Sequence, residues 1–149
     1  MTSKEEIQAH VRRLFADQSL AVLATNSDGQ PYTSLIAFVG QDDLKDIYFA
    51  TPRTTRKYKN LKTEPRVALL INSSVNRPSD FHQAIAVTAT GAVMDIQANQ
   101  RAPILKAYLA RHPHLKDFIE APTTALVRVR VNCYYLVKNF QKVMELHIK

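Results

Sequence analysis

The sequence predicts a mainly β protein: a small closed or partly closed antiparallel barrel of six or seven strands, with helices at its flanks. Three observations predict it. The apolar runs are short and mostly joined by brief polar turns, which favours antiparallel pairing. Strands and helices do not alternate as a parallel α/β sheet requires. Hydrophobic residues make up 46 % of the 149, enough to bury a sizeable core in one domain spanning 1–149.

The elements follow in order. Ser3-Lys4-Glu5-Glu6 reads as a capping box with Ser3 as N-cap. Ile7, Val11, Leu14 and Phe15 then recur at helical spacing, giving an amphipathic helix of three to four turns over one barrel end. Ser19–Thr25 and Gln30–Val39 form a hairpin across Asn26-Ser27-Asp28-Gly29. After the turn at Gly40–Asp43, Ile47–Ala50 is a third strand. Thr54 or Thr55 caps a helix running to about Lys62, and Glu64-Pro65 stops it, because the residue before proline disfavours helical geometry. Arg66–Asn72 is the fourth strand.

The polar loop Asn72–Asp80 follows. A long strand lies within Phe81–Ile96, with Gly91 marking a bulge or bend. Ala98–Arg111 reads as helix with Ala102, Leu105, Tyr108 and Leu109 on one side and Pro103 in the tolerant first turn. His112-Pro113-His114 interrupts it, and Leu115–Ile119 adds one more turn. Thr124–Leu136 is a long β-branched strand. Lys138-Asn139 turns into a last strand, Phe140–His147.

Charge narrows the function. The formal net charge is +7, which suits an acidic partner. It does not form a basic tail, and no zinc finger, RNA-binding consensus or basic zipper is present, so a phosphorylated small molecule ranks above nucleic acid. No apolar run reaches the ~18 residues that span a bilayer, so no membrane partner is expected. The N-terminus carries charges where a signal peptide has its apolar core, and a cytoplasmic location is expected. The one cysteine, Cys133, lies in an apolar strand and reads as inert core or interface filler. His112 and His114 lack a clustered Cys or carboxylate and read as loop residues, and His147 as an exposed strand-end histidine. No metal centre is expected. No Ser-His-Asp or paired-carboxylate arrangement stands out.

The chemistry gathers between Asp46 and Ile71. Six of the fourteen residues from Arg53 to Arg66 are Lys or Arg, and only Glu64 opposes them. Thr51 and Thr55 offer hydroxyls, Arg56 a planar fork and Lys57 a point charge, at the start of a helix. That set suits a phosphate monoester, since backbone amides and the helix dipole add to it. A solvated helix face would carry the same composition.

This stretch resembles the FMN-binding split-barrel proteins, the pyridoxamine 5′-phosphate oxidase-like family. The residues that carry the resemblance are Ala50-Thr51, then Thr55-Arg56-Lys57, then Glu64-Pro65-Arg66-Val67-Ala68-Leu69, with the upstream run Gly29-Gln30-Pro31-Tyr32 into Thr33–Ala37. Weaker likeness extends to Arg77–Gln83 and to Tyr134–Gln141. The resemblance implies a six- to seven-stranded antiparallel split barrel of the FMN-binding type, acting as a homodimeric, FMN-dependent oxidoreductase with NAD(P)H or another electron donor. It implies that Arg56 and Lys57, helped by Thr55, hold the FMN phosphate, and that Ala50 and Thr51 lie near the ribityl chain or ring. Ser34, Leu35, Ile36 and Ala37 would run along the isoalloxazine. Phe81, His82 and Gln83 would approach from the partner subunit. A deazaflavin or haem is the alternative cofactor, and a non-catalytic binding module the alternative role. The oxidases themselves carry Arg where this chain has Ser34, and an Arg-x-His motif that its ending lacks, so vitamin B6 oxidation is not expected.

Overall fold

The computed structural model describes residues 2–139 and 142–149. Seven strands form one antiparallel sheet: β1 (Leu20–Ser27), β2 (Gln30–Gly40), β3 (Asp46–Pro52), β4 (Arg66–Asn72), β5 (Ile85–Met94), β6 (Thr124–Lys138) and β7 (Lys142–His147). Their order is β3-β2-β1-β4-β5-β6-β7, and β3 also pairs with β6. That extra pairing closes six strands into a barrel and leaves β7 as an additional strand. Five helices flank it: α1 (Ser3–Asp17), α2 (Arg56–Thr63), α3 (Asp80–Gln83), α4 (Ala98–Arg111) and α5 (Lys116–Glu120). The expected mainly β barrel with flanking helices is the observed architecture.

The fifteen-residue β6 makes the closure possible. Its first half, Thr124–Arg130, pairs with β3; its second half, Cys133–Lys138, pairs with β7 on the same edge. The hand-over falls at Val131, whose amide donates to Lys45 O, and Asn132, whose carbonyl accepts from Ile148 N. On the other edge the register with β5 slips at this point, from Thr90↔Cys133 to Gly91↔Val131, leaving Asn132 as the bulged residue. Gly91 is required there, because a Cβ would stand 2.2 Å from Arg130 O. The bend expected at Gly91 is this bulge.

Alternation along the strands sends Leu23, Ile36, Phe38, Ile47, Phe49, Leu69, Val87, Val129, Tyr134 and Leu136 into the barrel. The α1 stripe Ile7, Val11, Leu14 and Phe15 joins that core, with the Phe15 ring over Gly40. Outside β3, Ala50 packs with Tyr108 of α4 and Ile119 of α5, so β3 is buried on both faces. Asp28 and Gly29 both take positive φ, as a two-residue Asp-Gly hairpin needs.

Several boundaries differ from the sequence expectation. The α1 capping box is Thr2 with Glu5, one residue earlier than Ser3 with Glu6. Both pairs fit the motif, but Glu6 is drawn into an ion pair with Lys138 at the end of β6. Residues 81–83 form a helical turn rather than strand. The Asp80 carboxylate accepts from the amides of Val75, Asn76 and Arg77, closing the loop, and pairing begins only at Ile85. On α4, Ile104 and Tyr108 are buried while Ala102 is exposed. His112 is not a surface loop residue: it is buried at the α4 end, and its Nε2 donates to Phe38 O at 2.7 Å. The last strand begins at Lys142; Phe140 and Gln141 lie outside the described residues.

Candidate functional site

β2 and β3 run together for only three residue pairs, Phe38↔Phe49, Val39↔Tyr48 and Gly40↔Ile47. Beyond them the strands part. β2 keeps β1 on one edge from Gln30 to Ala37, and β3 keeps β6 from Ala50 to Pro52. No described strand lies between the facing edges. The barrel wall therefore has a mouth, bordered by Pro31–Ala37 on one side and Ala50–Pro52 on the other. Alternate backbone groups along such an edge are left without a ladder partner.

α2 follows β3 and packs against β1 and β2. Thr55 is its N-cap, in extended conformation, accepting from Tyr58 N at 3.3 Å. The Thr55 hydroxyl lies 2.9 Å from that of Thr51, which is buried and points inward. Both hydroxyls are thus engaged within the protein. Asn60, also buried, donates to Thr25 Oγ1 and completes a polar plug beneath the strands.

The six cations of the basic segment separate by what they touch. Arg53 donates to the Tyr58 hydroxyl at 3.1 Å, and Lys62 sits over the Tyr58 ring. Burial works to raise the Tyr58 phenol, but Lys62 and Arg53 outweigh it and hold it below its ordinary value. Arg66 is bound to Glu64. Lys59 is exposed on a later turn. Arg56 and Lys57 occupy the first two helical positions, with no acidic residue in that turn. Among the described residues no ion pair engages either. The first amides of a helix have no internal acceptor, so two cations and free donors share one end of α2.

On β2 the candidates divide by alternation. Leu35 and Ala37 face outward, Leu35 at 64 % exposure; Ser34 and Ile36 face inward. The Ser34 hydroxyl is buried without a hydrogen-bond partner. Ala37 O accepts from the Tyr108 hydroxyl, and the Ala50 side chain faces α4 rather than the mouth. The structure thus places Ser34–Ala37 on β2, Ala50 and Thr51 at the end of β3, and Thr55, Arg56 and Lys57 at the start of α2 that follows. His82 and Gln83 stand apart from them within the chain. They are exposed on α3, in the loop that follows β4, whereas α2 precedes that strand.

The α3 loop covers a second feature. A cavity of about 750 Å³ lies against the outer face of β4, β5 and β6, lined mainly by apolar atoms of Leu70, Pro78, Phe81, Ala86 and Val137. The outward face of the neighbouring strands continues it with Leu20, Val22, Leu35 and Leu70.

Residues 7–138 match the family model described as pyridoxamine 5′-phosphate oxidase. The chain belongs to the pyridoxamine 5′-phosphate oxidase family. Solved structures of similar fold include a haem-binding protein from Mycobacterium smegmatis, with TM-score 0.83 and 18 % identity over 99 % of this chain. This chain spans 58 % of that protein's length. A Clostridium acetobutylicum protein related to general stress protein 26, of the pyridoxinephosphate oxidase family, gives TM-score 0.74 and 15 % identity over 97 % of this chain and 96 % of its own. An FAD-binding protein from Mesorhizobium loti gives 0.68 and 17 % over 86 % and 90 %. At such identities the likeness establishes the fold. No curated protein sequence matches the chain.

Sequence reasoning missed one buried group within this pyridoxamine 5′-phosphate oxidase fold. Asp46 accepts from Arg128 Nε at 3.2 Å and Arg130 Nε at 2.8 Å, on the wall of a cavity of about 730 Å³ beneath α4. Arg-Val-Arg in β6 gave the signal, since its two cations lie on one face of a strand. Their partner is 82 residues away in sequence from the nearer of them. No described helix is long and apolar enough to cross a membrane.

Proposed function

We propose that this chain is an FMN-binding flavoprotein that works as a homodimeric oxidoreductase. The observation that carries the reading is the mouth between β2 and β3, with an open backbone edge on one side and the unpaired cations Arg56 and Lys57 at the start of α2. The residues suit the group. A phosphate monoester needs converging donors, and a guanidinium, an ammonium and free helix amides supply them. A ring with polar edges needs donors and acceptors that the fold has not already used, and the β2 edge and the orphaned Ser34 hydroxyl provide them.

In this reading Arg56 and Lys57 hold the phosphate, while Thr55 fixes the helix start that aims them. Thr51 and the Ala50 backbone border the ribityl region, and Ser34–Ala37 border the ring. Bound flavin supplies hydride or electron transfer, drawing on NAD(P)H or another donor. The protein binds, orients and shields it. A second copy covers the outward apolar face of β1, β2 and β4, and brings its own Phe81, His82 and Gln83 to the mouth. That face exposes Leu20, Leu35 and Leu70, more apolar surface than a lone strand face leaves to water.

An absorbance spectrum of the purified protein, followed by FMN titration of the apoprotein, tests this. The expected result is an oxidised-flavin spectrum, or saturable binding of one FMN per chain. Neither colour nor binding on reconstitution overturns the reading. Steady NAD(P)H oxidation by the flavin-loaded protein supports an enzyme; stable binding without turnover supports a carrier or sensor. The apolar cavity lined by Leu70, Phe81 and Val137 favours haem as a second reading, which the same spectrum separates by its Soret band.

A further inference from the structure

We propose that the outer face of β6 and β7 carries a divalent transition-metal site, best matched to Zn²⁺, formed by Cys133, Glu145 and His147. One ligand atom from each of these residues lies within 4.8 Å of the other two. The register brings them together. Cys133 pairs directly with His147, and Tyr135 pairs with Glu145 on the same face two residues along. Cys-x-Tyr on one strand thus faces Glu-x-His on its neighbour, all four side chains pointing away from the core that receives Tyr134 and Leu146. The site lies on different strands from the β2–β3 mouth and rests on no ligand there.

The geometry is close to what an ion needs. Bonds of about 2.0–2.3 Å in a tetrahedron hold ligand atoms roughly 3.3–3.8 Å apart. His147 Nε2 and Glu145 Oε2 are already 3.1 Å apart. Any edge near the 4.8 Å limit has to shorten by about 1 Å. Glu145 and His147 can supply that, because both side chains are more than half exposed and rotate freely. Cys133 is fixed at the strand centre, where its sulfur contacts Tyr134 O at 3.7 Å and the Tyr135 hydroxyl. Thr90 Oγ1, bonded to Asn132 Oδ1 at 2.5 Å, holds the strand beside it.

Donor chemistry selects the metal. A thiolate and an imidazole favour Zn²⁺ and its neighbours over Mg²⁺ or Ca²⁺, which take oxygen ligands. A thiolate, a carboxylate and a neutral imidazole carry two negative charges and balance a divalent cation. Binding releases the thiol proton to solvent. Three protein ligands leave a fourth position for water on the exposed side, beside the Tyr135 hydroxyl. Neither strand announces the site, since β6 contributes one ligand and β7 two.

The test is a Co²⁺ titration of the chelator-stripped full chain, with Zn²⁺ affinity then read by competition against a chromophoric chelator. The expected result is one ion per chain and a near-ultraviolet thiolate-to-cobalt charge-transfer band. The chain holds one cysteine, so that band reports Cys133 alone. His147→Ala changes an exposed side chain and leaves the core intact. It should weaken Zn²⁺ binding by more than the ~100-fold that loss of an outer-shell partner costs. Glu145→Gln should weaken it in the same direction. Absence of the charge-transfer band in the unaltered protein overturns the site, as does wild-type Zn²⁺ affinity in His147→Ala. Flavin-free and flavin-loaded protein should give the same result, so failure here and failure of the flavin reading are separable.

Discussion

Replacing Arg56 and Lys57 together by alanine removes the two cations at the start of α2 without disturbing its packing. The buried residues of that helix are Asn60 and Leu61, and its cap is Thr55. Charge-assisted hydrogen bonds contribute about 1.5–3 kcal/mol each, so two contacts to a phosphate give ~3–6 kcal/mol. Arg56 is exposed and Lys57 only half-buried, which places the loss near the lower end, about 3 kcal/mol. That corresponds to about two decades in Kd for FMN. Riboflavin has no phosphate, so its affinity should hardly change, and the double variant should bind FMN and riboflavin about equally.

Lys4→Ala with Lys106→Ala is the matched control. It removes two charges from exposed positions on α1 and α4 and should move Kd by less than about threefold, since exposed charges that do not touch the ligand are largely screened at physiological salt. Flavin fluorescence quenching at fixed ionic strength reads all three proteins, and their melting temperatures should agree. Unchanged FMN affinity in Arg56→Ala/Lys57→Ala would refute the placement of the phosphate. So would an equal loss in the charge control, which would make the effect one of net charge.

Three further outcomes follow from the fold. Gly91→Ala forces a Cβ against Arg130 O at the bulge and should cost about 3 kcal/mol, lowering Tm by ~6–12 °C for a chain of this size. Gly29→Ala meets no atom and pays only for positive φ, about 1 kcal/mol, so its Tm should fall much less. Asp46→Asn removes the buried carboxylate that pairs with the part-buried Arg128 guanidinium and should lower stability by about 3 kcal/mol in urea unfolding; a loss below ~1 kcal/mol would show the pair to be solvated. Burial pushes the Tyr108 phenol up to about 12 from the ordinary 10.0. The unfolded chain therefore loses that proton first. Stability is fully present below pH 10 and falls as pH rises toward 12, and Tyr108→Phe should flatten that part of the pH–stability curve.

Much of the barrel was legible in the sequence because its signals are local. Short apolar and β-branched runs gave the strands, Asp28-Gly29 gave the hairpin, and Glu64-Pro65 ended α2 before β4. The errors fell where a distant group decides. Asp80 folds residues 75–83 back on themselves through three backbone amides, so the strand expected from His82 begins only at Ile85. His112 looked like loop beside a proline, and the Phe38 carbonyl buries it.

The sequence by itself determined the chemistry this chain can present: a basic helix start with a threonine cap, short antiparallel strands, one cysteine and few histidines. Composition and spacing along the chain suffice for that. It could not determine which cations remain available. Only the tertiary structure assigned Arg53 and Lys62 to Tyr58 and Arg66 to Glu64, leaving Arg56 and Lys57 outside any described ion pair at the start of α2. The mouth exists because β2 and β3 part after three pairs, and Cys133 meets His147 because β6 changes partners at its bulge. Both are consequences of closing a barrel, where register between strands far apart in sequence sets which groups meet.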